Sequence, residues 1–332
     1  MATNVNLEEV ARLSGVSQAT ASRALNGKDG VAEEVRFRVR LVAKQLGYRP
    51  NPAAQSLAGG RSSVIGLLAT RDLFQDPYSI ALIQAMAKAT DHYDQGLMLL
   101  RTKDSPDSAM RNLLRDGLVD GVVVAGTVAD EPWVPNLLDS SIKTVLLGSS
   151  PARRVPQINV ENKESSARLV DYLLGGGRRR VATITGPLAR PDASARLEGF
   201  RLAHERRGVA VNESLIVHGD FTYATAYRLA AELLEQRPDA VVAANDATAL
   251  AVARCATEQG LSTPEDFCLV GFDGTAMNLP GALNLTTMIQ PFDELAMMAV
   301  KTLIDLLNDE PVPAEQSLNP VVHYGPSSLP PG

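Results

Sequence analysis

The chain has 332 residues, 45% of them hydrophobic and 21% charged, with a net charge of −6 at pH 7. This length and composition indicate a globular protein of two or three domains. No apolar run approaches the ~18 residues of a membrane span, and the first residues lack the basic head and apolar centre of a secretory signal. Membrane and secreted proteins are therefore excluded, and we expect a cytoplasmic protein.

Charge is distributed unevenly along the chain. Residues 1–61 carry nine Lys or Arg and five acidic residues, a net charge of +4, whereas the rest of the chain has a net charge of −10. A basic head on an acidic body indicates that the head binds a polyanion.

Apolar residues recur at helical spacing in three early segments, 6–14, 18–26 and 32–46. Asn6 and Ser17 are placed to cap the first two segments, which are joined by a tight turn containing glycine. Three short helices around a small core, with glycine in the first turn, predict a helix-turn-helix unit.

The second of these helices has side chains suited to reading DNA. Its polar side and the turn before it present Ser17, Gln18, Ala19, Thr20, Ser22, Arg23 and Asn26. Gln can bond adenine bidentately, Arg can bond guanine, and Ala can contact the thymine methyl group. The alternative, an ordinary solvent-exposed helix, is disfavoured by the tight turn and the basic charge of this region.

Residues 51–60 read NPAAQSLAGG and specify both ends of a very short helix. Asn51 can cap it, Pro52 favours its first position, and a Gly-Gly pair ends it. About two turns is less than the roughly 12–15 residues that an isolated helix needs in water. A flexible linker would explain the glycines but not Asn51 and Pro52.

From residue 62 onward, apolar strand-like runs alternate with helix-like segments. The strand-like runs are 64–69, 96–100, 121–125, 144–148, 181–185, 215–218, 240–244, 268–272 and 286–289. The helix-like segments are 79–93, 106–116, 162–174, 193–207, 223–235, 246–259 and 292–307. Because most strand runs are continuously apolar, we expect parallel sheets covered on both faces. This pattern predicts an α/β body of two doubly wound lobes.

The body contains no standard catalytic or metal-binding motif. GxxxxGK[ST], GxSxG and HExxH are absent, and the four histidines are scattered. We therefore predict no enzyme activity, no catalytic residues, no cofactor and no metal site. Cys255 and Cys268 are interpreted as buried core residues rather than a disulfide or metal pair. GGGRRR at 175–180 is interpreted as a helix end and a solvated lead-in to the next strand, not a phosphate loop.

Polar residues follow several strand runs at their carboxyl ends, where ligands bind in open α/β sheets. Asp273, Asn245 and Asp246 directly follow strand runs, and Arg196 lies in the helix after another. A single Asp or Asn at such a position is often a helix cap. Three converging ends, one with an arginine, instead favour a hydroxyl-rich or anionic small molecule.

The head carries three sequence elements in order: VARLSGVS with SRALNG, then LGYRPN, then AQSLAGGRS. Together they resemble the DNA-binding head of the lactose-repressor (LacI/GalR) family. The DNA-binding residues that the resemblance implies are Ser17, Gln18, Ala19, Thr20, Ser22, Arg23, Asn26, Tyr48, Asn51, Ala54 and Leu57. Ala32 stands where the family usually has a capping Ser, a difference of about 1 kcal/mol in helix stability.

The resemblance also gives the short helix a role. It implies that residues 52–58 form a hinge helix that orders on the operator, with Leu57 as a wedge between base pairs in the minor groove. A helix too short to persist alone can fold when two copies pack together on DNA. A small change in the geometry of the body can then pull it apart.

The body resembles the effector-binding core of the same family, which is shaped like a periplasmic sugar-binding protein. The stretches that carry this resemblance are GPLARPDASARLEGF, HGDFTYATAY, AANDATAL, TPEDFCLVGFDG and LTTMIQPFDELA. The effector-site residues that it implies are Tyr78, Arg196, Phe221, Asn245, Asp273 and Gln290. Arg196 and Asp273 are expected to hold polar groups of the effector, and Phe221 to stack on it.

We therefore predict an all-α helix-turn-helix DNA-binding head and an α/β, two-lobed, periplasmic-binding-protein-like body with two doubly wound parallel sheets. The expected parts are the DNA-binding domain (1–50), the hinge helix and linker (51–61), and the effector-binding and dimerisation domain (62–330). Its lobes are expected at about 62–160 plus 291–320 and about 161–290 plus the tail. The C-terminal stretch HYGPSSLPPG has no heptads, so we expect a homodimer on a near-palindromic double-stranded operator.

The predicted function is a cytoplasmic, nucleoid-associated, sequence-specific transcriptional regulator, a repressor controlled by a small molecule between the lobes. A sugar or sugar derivative is the expected effector. One alternative is a corepressor-dependent regulator that responds to a purine or a phosphorylated metabolite. A remote alternative is a solute-binding protein or sugar-active enzyme with an incidental helical head, which the absent signal sequence and absent catalytic motifs disfavour.

Overall fold

A computed structural model describes residues 6–25, 27, 29–48, 61–69, 77–101, 117–126, 137, 141–148, 155–276 and 284–328. The chain divides into two compact units, Met1–Ser62 and Ser63–Gly332. The finer boundaries predicted at residues 50 and 61 stay a prediction, and the helices predicted over 51–60 and 106–116 lie outside the described residues. No helix in the described ranges is both long and apolar enough to cross a membrane.

The described part of the first unit consists of three helices. They are α1 (Leu7–Ser14), α2 (Gln18–Leu25) and α3 (Glu33–Leu46). Val10, Ala21, Ala24 and Val39 are fully buried and form the centre of its core. The predicted three-helix head is therefore confirmed.

Both predicted caps in the head form. The Asn6 side chain accepts a hydrogen bond from the Glu9 amide at 2.9 Å, and the Ser17 hydroxyl accepts one from the Thr20 amide at 3.1 Å. Helix α3 begins after Ala32, which makes no side-chain cap bond. The start of this helix therefore lacks a side-chain acceptor.

The described residues of the second unit form two six-stranded sheets. The first has strands β1 (Val64–Ala69), β2 (Gly96–Arg101), β3 (Gly121–Ala125), β4 (Lys143–Leu147), β5 (Gln157–Val160) and β11 (Glu315–Leu318). All neighbours are parallel, in the order β11-β5-β4-β3-β1-β2. Helices α4 (Pro77–His92) and α9 (Phe292–Leu307) pack on one face. We call the part built on this sheet lobe 1.

The second sheet defines lobe 2. Its strands are β6 (Val181–Thr185), β7 (Ile216–His218), β8 (Ala240–Ala243), β9 (Cys268–Asp273), β10 (Thr286–Ile289) and β12 (Val321–His323). The order is β12-β10-β9-β8-β6-β7, and only the pairing of β12 with β10 is antiparallel among these described strands. Its helices are α5 (Asn162–Gly175), α6 (Pro191–Arg207), α7 (Tyr223–Glu235) and α8 (Asp246–Glu258).

Both faces of the second sheet are covered by helices. Residues of α7 and α8 form one apolar core with one face, and residues of α5 and α6 form another with the opposite face. The continuous apolar character of the strand runs is explained by this burial on two sides. The predicted doubly wound α/β body is confirmed.

The chain passes between the lobes at three described points, after β5, after β10 and after β11. These connections place the carboxyl ends of strands from both sheets beside a shared cleft. The cleft is where the polar strand-end residues are found.

The two cysteines and the glycine–arginine run have the structural roles that the sequence predicts. Cys255 and Cys268 are both buried free thiols. Helix α5 ends at Gly175. Of the arginines that follow, Arg179 donates to the carbonyl of residue 174, near the end of α5. Arg180 donates to the carbonyls of residues 236 and 237, just after α7. The glycine–arginine run is therefore a helix end, as predicted.

Candidate functional site

The head presents one polar side of α2 to its exterior. Ser17, Gln18, Ala19 and Arg23 are exposed, and Thr20 and Ser22 are half-buried. The Ser17 hydroxyl is held by its cap and lies 2.8 Å from the Thr20 hydroxyl. The start of the helix is thus fixed, while Gln18 and Arg23 project from it. These residues form an exposed surface of the kind that enters a major groove.

The remaining predicted DNA-contacting residues divide into two groups. Tyr48 lies two residues after the end of α3, is half-buried and packs against the core of the head, and burial raises its pKa. Asn26, Asn51, Ala54 and Leu57 lie outside the described residues.

A cavity lies between the two lobes of the body. Lobe 1 contributes Ala69, Tyr78, Ser79, Leu82, Ala125 and Gly126, and lobe 2 contributes Arg190, Asp192, Arg196, Phe221, Asn245 and Asp273. An adjoining cavity is lined in part by Gln290 and shares Tyr78, Arg190, Asp192 and Arg196 with the first. We call the two together the cleft. All six predicted effector-site residues therefore line it.

Arg196, on α6, is buried and held at all three guanidinium nitrogens. Its Nε donates to Asn162 Oδ1 at 2.9 Å, its Nη1 to the Ala244 carbonyl at 2.5 Å, and its Nη2 lies 3.4 Å from Asp273 Oδ1. The guanidinium also lies 3.7 Å from the centre of the Phe272 ring. These protein groups hold the arginine in one orientation.

Asp273 ends β9 and is the most buried acid of the cleft wall. Its Oδ1 accepts from Gln290 Nε2 at 2.6 Å as well as from Arg196. Burial raises its pKa to about 7, helped by the nearby charge of Asp246, while Arg196 and Gln290 act in the opposite direction. Near neutral pH this carboxyl group can therefore both donate and accept hydrogen bonds, depending on its protonation.

A second ion pair, Arg190 with Asp192, was not predicted. Arg190 Nε and Nη2 donate to the two carboxylate oxygens of Asp192 at 3.0 and 2.9 Å, and its Nη1 donates across the cleft to the Gly126 carbonyl at 3.3 Å. Burial opposes ionisation of Asp192, but Arg190, Arg196 and the Ala193 amide together outweigh it, and the pKa of Asp192 lies below its ordinary value. The pair follows β6, so the strand-end signal that identified Arg196 also applied to it.

Phe221 provides an aromatic surface in the cleft. Arg190 and Arg196 lie 5.4 and 5.7 Å from the centre of its ring. A Cβ atom added at Gly186 would overlap that ring, so the phenyl group lies directly against the Gly186 backbone. The glycine is needed for the ring to occupy this position.

Asn245 has two roles at the start of α8. Its Oδ1 accepts from the Thr248 amide at 2.8 Å, which makes it the helix cap that was the alternative interpretation. Its Nδ2 donates to the Phe221 carbonyl at 3.1 Å, and its side chain lines the cleft. Capping and cleft lining are thus compatible at this position.

Tyr78 reaches the cleft from lobe 1. It packs edge-on against Phe292, with ring centres 5.2 Å apart. Burial raises its pKa, and the carboxylates of Asp273 and Asp192 raise it further. The described residues contain no cluster of His, Cys, Asp or Glu arranged to hold a metal ion.

Comparisons with known proteins identify relatives for both units of the chain. Residues 6–51 match the bacterial regulatory proteins of the lacI family, and residues 170–328 match a periplasmic binding protein-like domain. The ribose operon repressor of Escherichia coli K12 is 31% identical over 304 residues, which cover 90% of this chain and 92% of the repressor.

Two solved structures resemble the chain over nearly its full length. The transcriptional regulator CelR in complex with cellobiose is 29% identical, with a TM-score of 0.73 and coverage of 98% of this chain and 100% of that one. The lac repressor dimer bound to operator and the anti-inducer ONPF is 25% identical, with a TM-score of 0.83 and coverage of 99% and 100%. The chain therefore belongs to the LacI family of DNA-binding transcriptional regulators.

Proposed function

We propose that this protein is a cytoplasmic, dimeric repressor whose affinity for operator DNA is controlled by an uncharged, hydroxyl-rich small molecule bound in the cleft. The observation that carries the proposal is the meeting of polar and aromatic side chains from both lobes around one cavity. A ligand there touches both lobes at once, so it can favour one of their arrangements over another.

The charges in the cleft support an uncharged effector. Each arginine is paired with a carboxylate, Arg190 with Asp192 and Arg196 with Asp273. All three nitrogens of each guanidinium already donate hydrogen bonds. A phosphate would have to approach the two carboxyl groups that already neutralise these arginines. This disfavours the phosphorylated alternative considered from the sequence.

A sugar suits the same groups. The carboxyl oxygens and the Asn245 amide can exchange hydrogen bonds with hydroxyl groups, and the Phe221 ring provides an apolar face for the C–H side of a pyranose or furanose. Two relatives have sugars in their names or structures, the ribose operon repressor and the CelR–cellobiose complex. A neutral mono- or disaccharide is therefore the proposed class.

Two heads of a dimer would read the half-sites of a near-palindromic operator. In this proposal α2 enters the major groove with Gln18 and Arg23, and residues 52–58 act as the hinge helix that places Leu57 in the minor groove. Coupling between effector and operator of about 1–3 kcal/mol would change operator affinity about 5–150-fold. No catalytic step is proposed, in keeping with relatives that are regulators.

A thermal-shift screen of the full chain with neutral sugars, their phosphates and purines tests the effector class. A neutral sugar at 100 times its Kd is expected to raise the free energy of unfolding by about 2.7 kcal/mol. Stabilisation by a phosphorylated compound or a purine alone would contradict the proposed class.

A further inference from the structure

Two residues of the cleft have a backbone conformation that side chains rarely adopt. Phe221 has φ +69° and Asp273 has φ +108°. For residues other than glycine this region is strained, and such residues persist only where the surrounding structure holds them. The neighbouring contacts should therefore include groups that hold both positions.

Both strained segments are bonded to one dipeptide, Asn245-Asp246, at the start of α8. Asn245 Nδ2 donates to the carbonyl of Phe221 itself, at 3.1 Å. Asp246 Oδ2 accepts the amide of Ala276, three residues after Asp273, at 3.0 Å. One side chain of the pair thus bonds each strained segment.

Asp246 also joins the strand that carries the second partner of Asp273. Its Oδ1 accepts from the Thr287 hydroxyl on β10 at 2.6 Å. Three residues beyond Thr287, Gln290 donates to the Asp273 carboxylate at 2.6 Å, and its backbone amide donates to the Asp273 carbonyl at 3.2 Å. Asp246 therefore connects the turn after β9 to β10, the strand that leads to Gln290.

The burial of Asp246 indicates that its role is to connect these segments and not to contact a ligand. The residue is 0% exposed and is not among the residues that line the cleft. A Cβ added at Gly271 would overlap its Oδ1, so the carboxyl group lies directly on the backbone of β9. Burying a carboxyl group is costly unless its oxygens are bonded, and here both oxygens accept from the segments flanking Asp273. Asparagine has the same shape but only one acceptor oxygen.

We infer that Asn245-Asp246 is a brace that holds Phe221 and Asp273 in their strained conformations, and that Asp246 is a positioning residue without contact to the effector. The importance of the cleft for an effector rests on the proposed function. The existence of the brace does not depend on the proposed function, so it is tested on the protein without effector or DNA.

A double-mutant cycle measures whether Asp246 acts on the strain at Asp273. Asp246→Asn is introduced into three backgrounds: the natural chain, Asp273→Gly and Asp273→Asn. Asp273→Gly removes the backbone strain at this position, whereas Asp273→Asn removes only the charge. Urea unfolding of the full chain gives the unfolding equilibrium constant of each variant.

The brace predicts that Asp246→Asn raises the unfolding constant about tenfold in the natural chain and in Asp273→Asn, but less than threefold in Asp273→Gly. Equal effects in all three backgrounds would overturn the inference, because Asp246 would then be an ordinary buried acid. The inference would also be overturned if the effect of Asp246→Asn on the unfolding constant were reduced equally in Asp273→Gly and Asp273→Asn. The coupling would then arise from the charge of Asp273 and not from its backbone strain.

Milder variants cover the case in which Asp246→Asn does not fold. Thr287→Val removes one donor to Asp246, and hydrogen exchange of peptides covering 268–276 reports on the turn. Thr248→Val is the matched control, because its buried hydroxyl on α8 has no hydrogen-bond partner among the described residues. At least threefold faster exchange is expected in Thr287→Val and none in the control. Equal exchange in both variants would overturn the inference.

Discussion

Arg196 and Asp273 form a buried ion pair at the carboxyl ends of lobe 2 strands, with 3.4 Å between Nη2 and Oδ1 and side chains 9% and 5% exposed. The carboxylate of the pair is also bonded to Gln290, where the chain leaves lobe 2 for lobe 1. A ligand that bonds to either member of the pair therefore acts on the connection between the lobes. The pair is the proposed starting point of the signal from effector to DNA.

The raised pKa of Asp273 predicts a pH-dependent stability. Its folded pKa of about 7 lies above the ordinary 3.8, so the folded state holds this proton more tightly than the unfolded chain. Its contribution is complete below about pH 4 and is lost as the pH rises to about 7. Asp273→Asn removes this dependence, so the free energy of unfolding of the variant should improve relative to the natural chain between pH 4 and 7.

Urea unfolding at intervals of one pH unit checks this expectation. Above about pH 8 the difference between the two proteins should become constant. The pKa of Asp246, raised by burial to about 6, gives a residual slope of the same sign in both proteins. Parallel pH profiles over the whole range would contradict the assigned protonation of Asp273.

Arg190 is expected to hold the lobes together, because its Nη1 donates to the Gly126 carbonyl across the cleft. Arg190→Ala should weaken effector affinity about tenfold or more, in line with the roughly 1.5–3 kcal/mol of a hydrogen bond to a charged group. It should also increase the radius of gyration measured by small-angle X-ray scattering. Arg201→Ala is the control, since this exposed arginine lies on α6, the helix that begins directly after Arg190, and pairs with Glu213 away from the cleft. An unchanged effector Kd in Arg190→Ala would show that the bridge is unimportant for binding.

Gly186→Ala should displace the Phe221 ring, because the added methyl group would overlap it. We expect loss of effector binding in calorimetry with operator binding retained. Gly176→Ala is the matched control in the same lobe, since its Cβ would meet its nearest atoms at an ordinary 3.4 Å. Full effector affinity in Gly186→Ala would remove the ring from the proposed site.

Arg23→Ala should reduce discrimination between operator and random DNA by about 1–3 kcal/mol, leaving weak, salt-sensitive binding. Arg12→Ala loses the same charge from the exposed end of α1 and should keep the discrimination. Competition gel shifts at fixed salt compare the two variants. If both lose the same amount of discrimination, α2 is not the reading helix.

The strands that are buried on both faces could be predicted from the sequence alone. Each of the nine apolar runs contains a strand, because strands covered on both faces must be continuously apolar. The strands β5, β11 and β12 were missed, since QINV, EQSL and VVH are short and partly polar. Their pairing depends on partners more than a hundred residues away or across a connection, which local pattern does not contain.

The same limit applies to the cleft. Residues that directly follow strands, such as Asn245 and Asp273, were identified from position alone. The Arg190 bridge to Gly126 and the strained conformations of Phe221 and Asp273 depend on contacts between distant segments. Nothing in their local sequence requires these features, so they became visible only in the folded chain.

The most direct test of the account is the operator affinity of the full chain, measured by fluorescence anisotropy on a selected operator with and without the neutral sugar found in the thermal screen. We predict that the sugar changes the operator Kd of the natural protein about 5–150-fold. Asp273→Asn should still bind the operator, but the sugar should not change its operator Kd. A sugar that binds the natural protein but leaves its operator Kd unaltered would contradict the account.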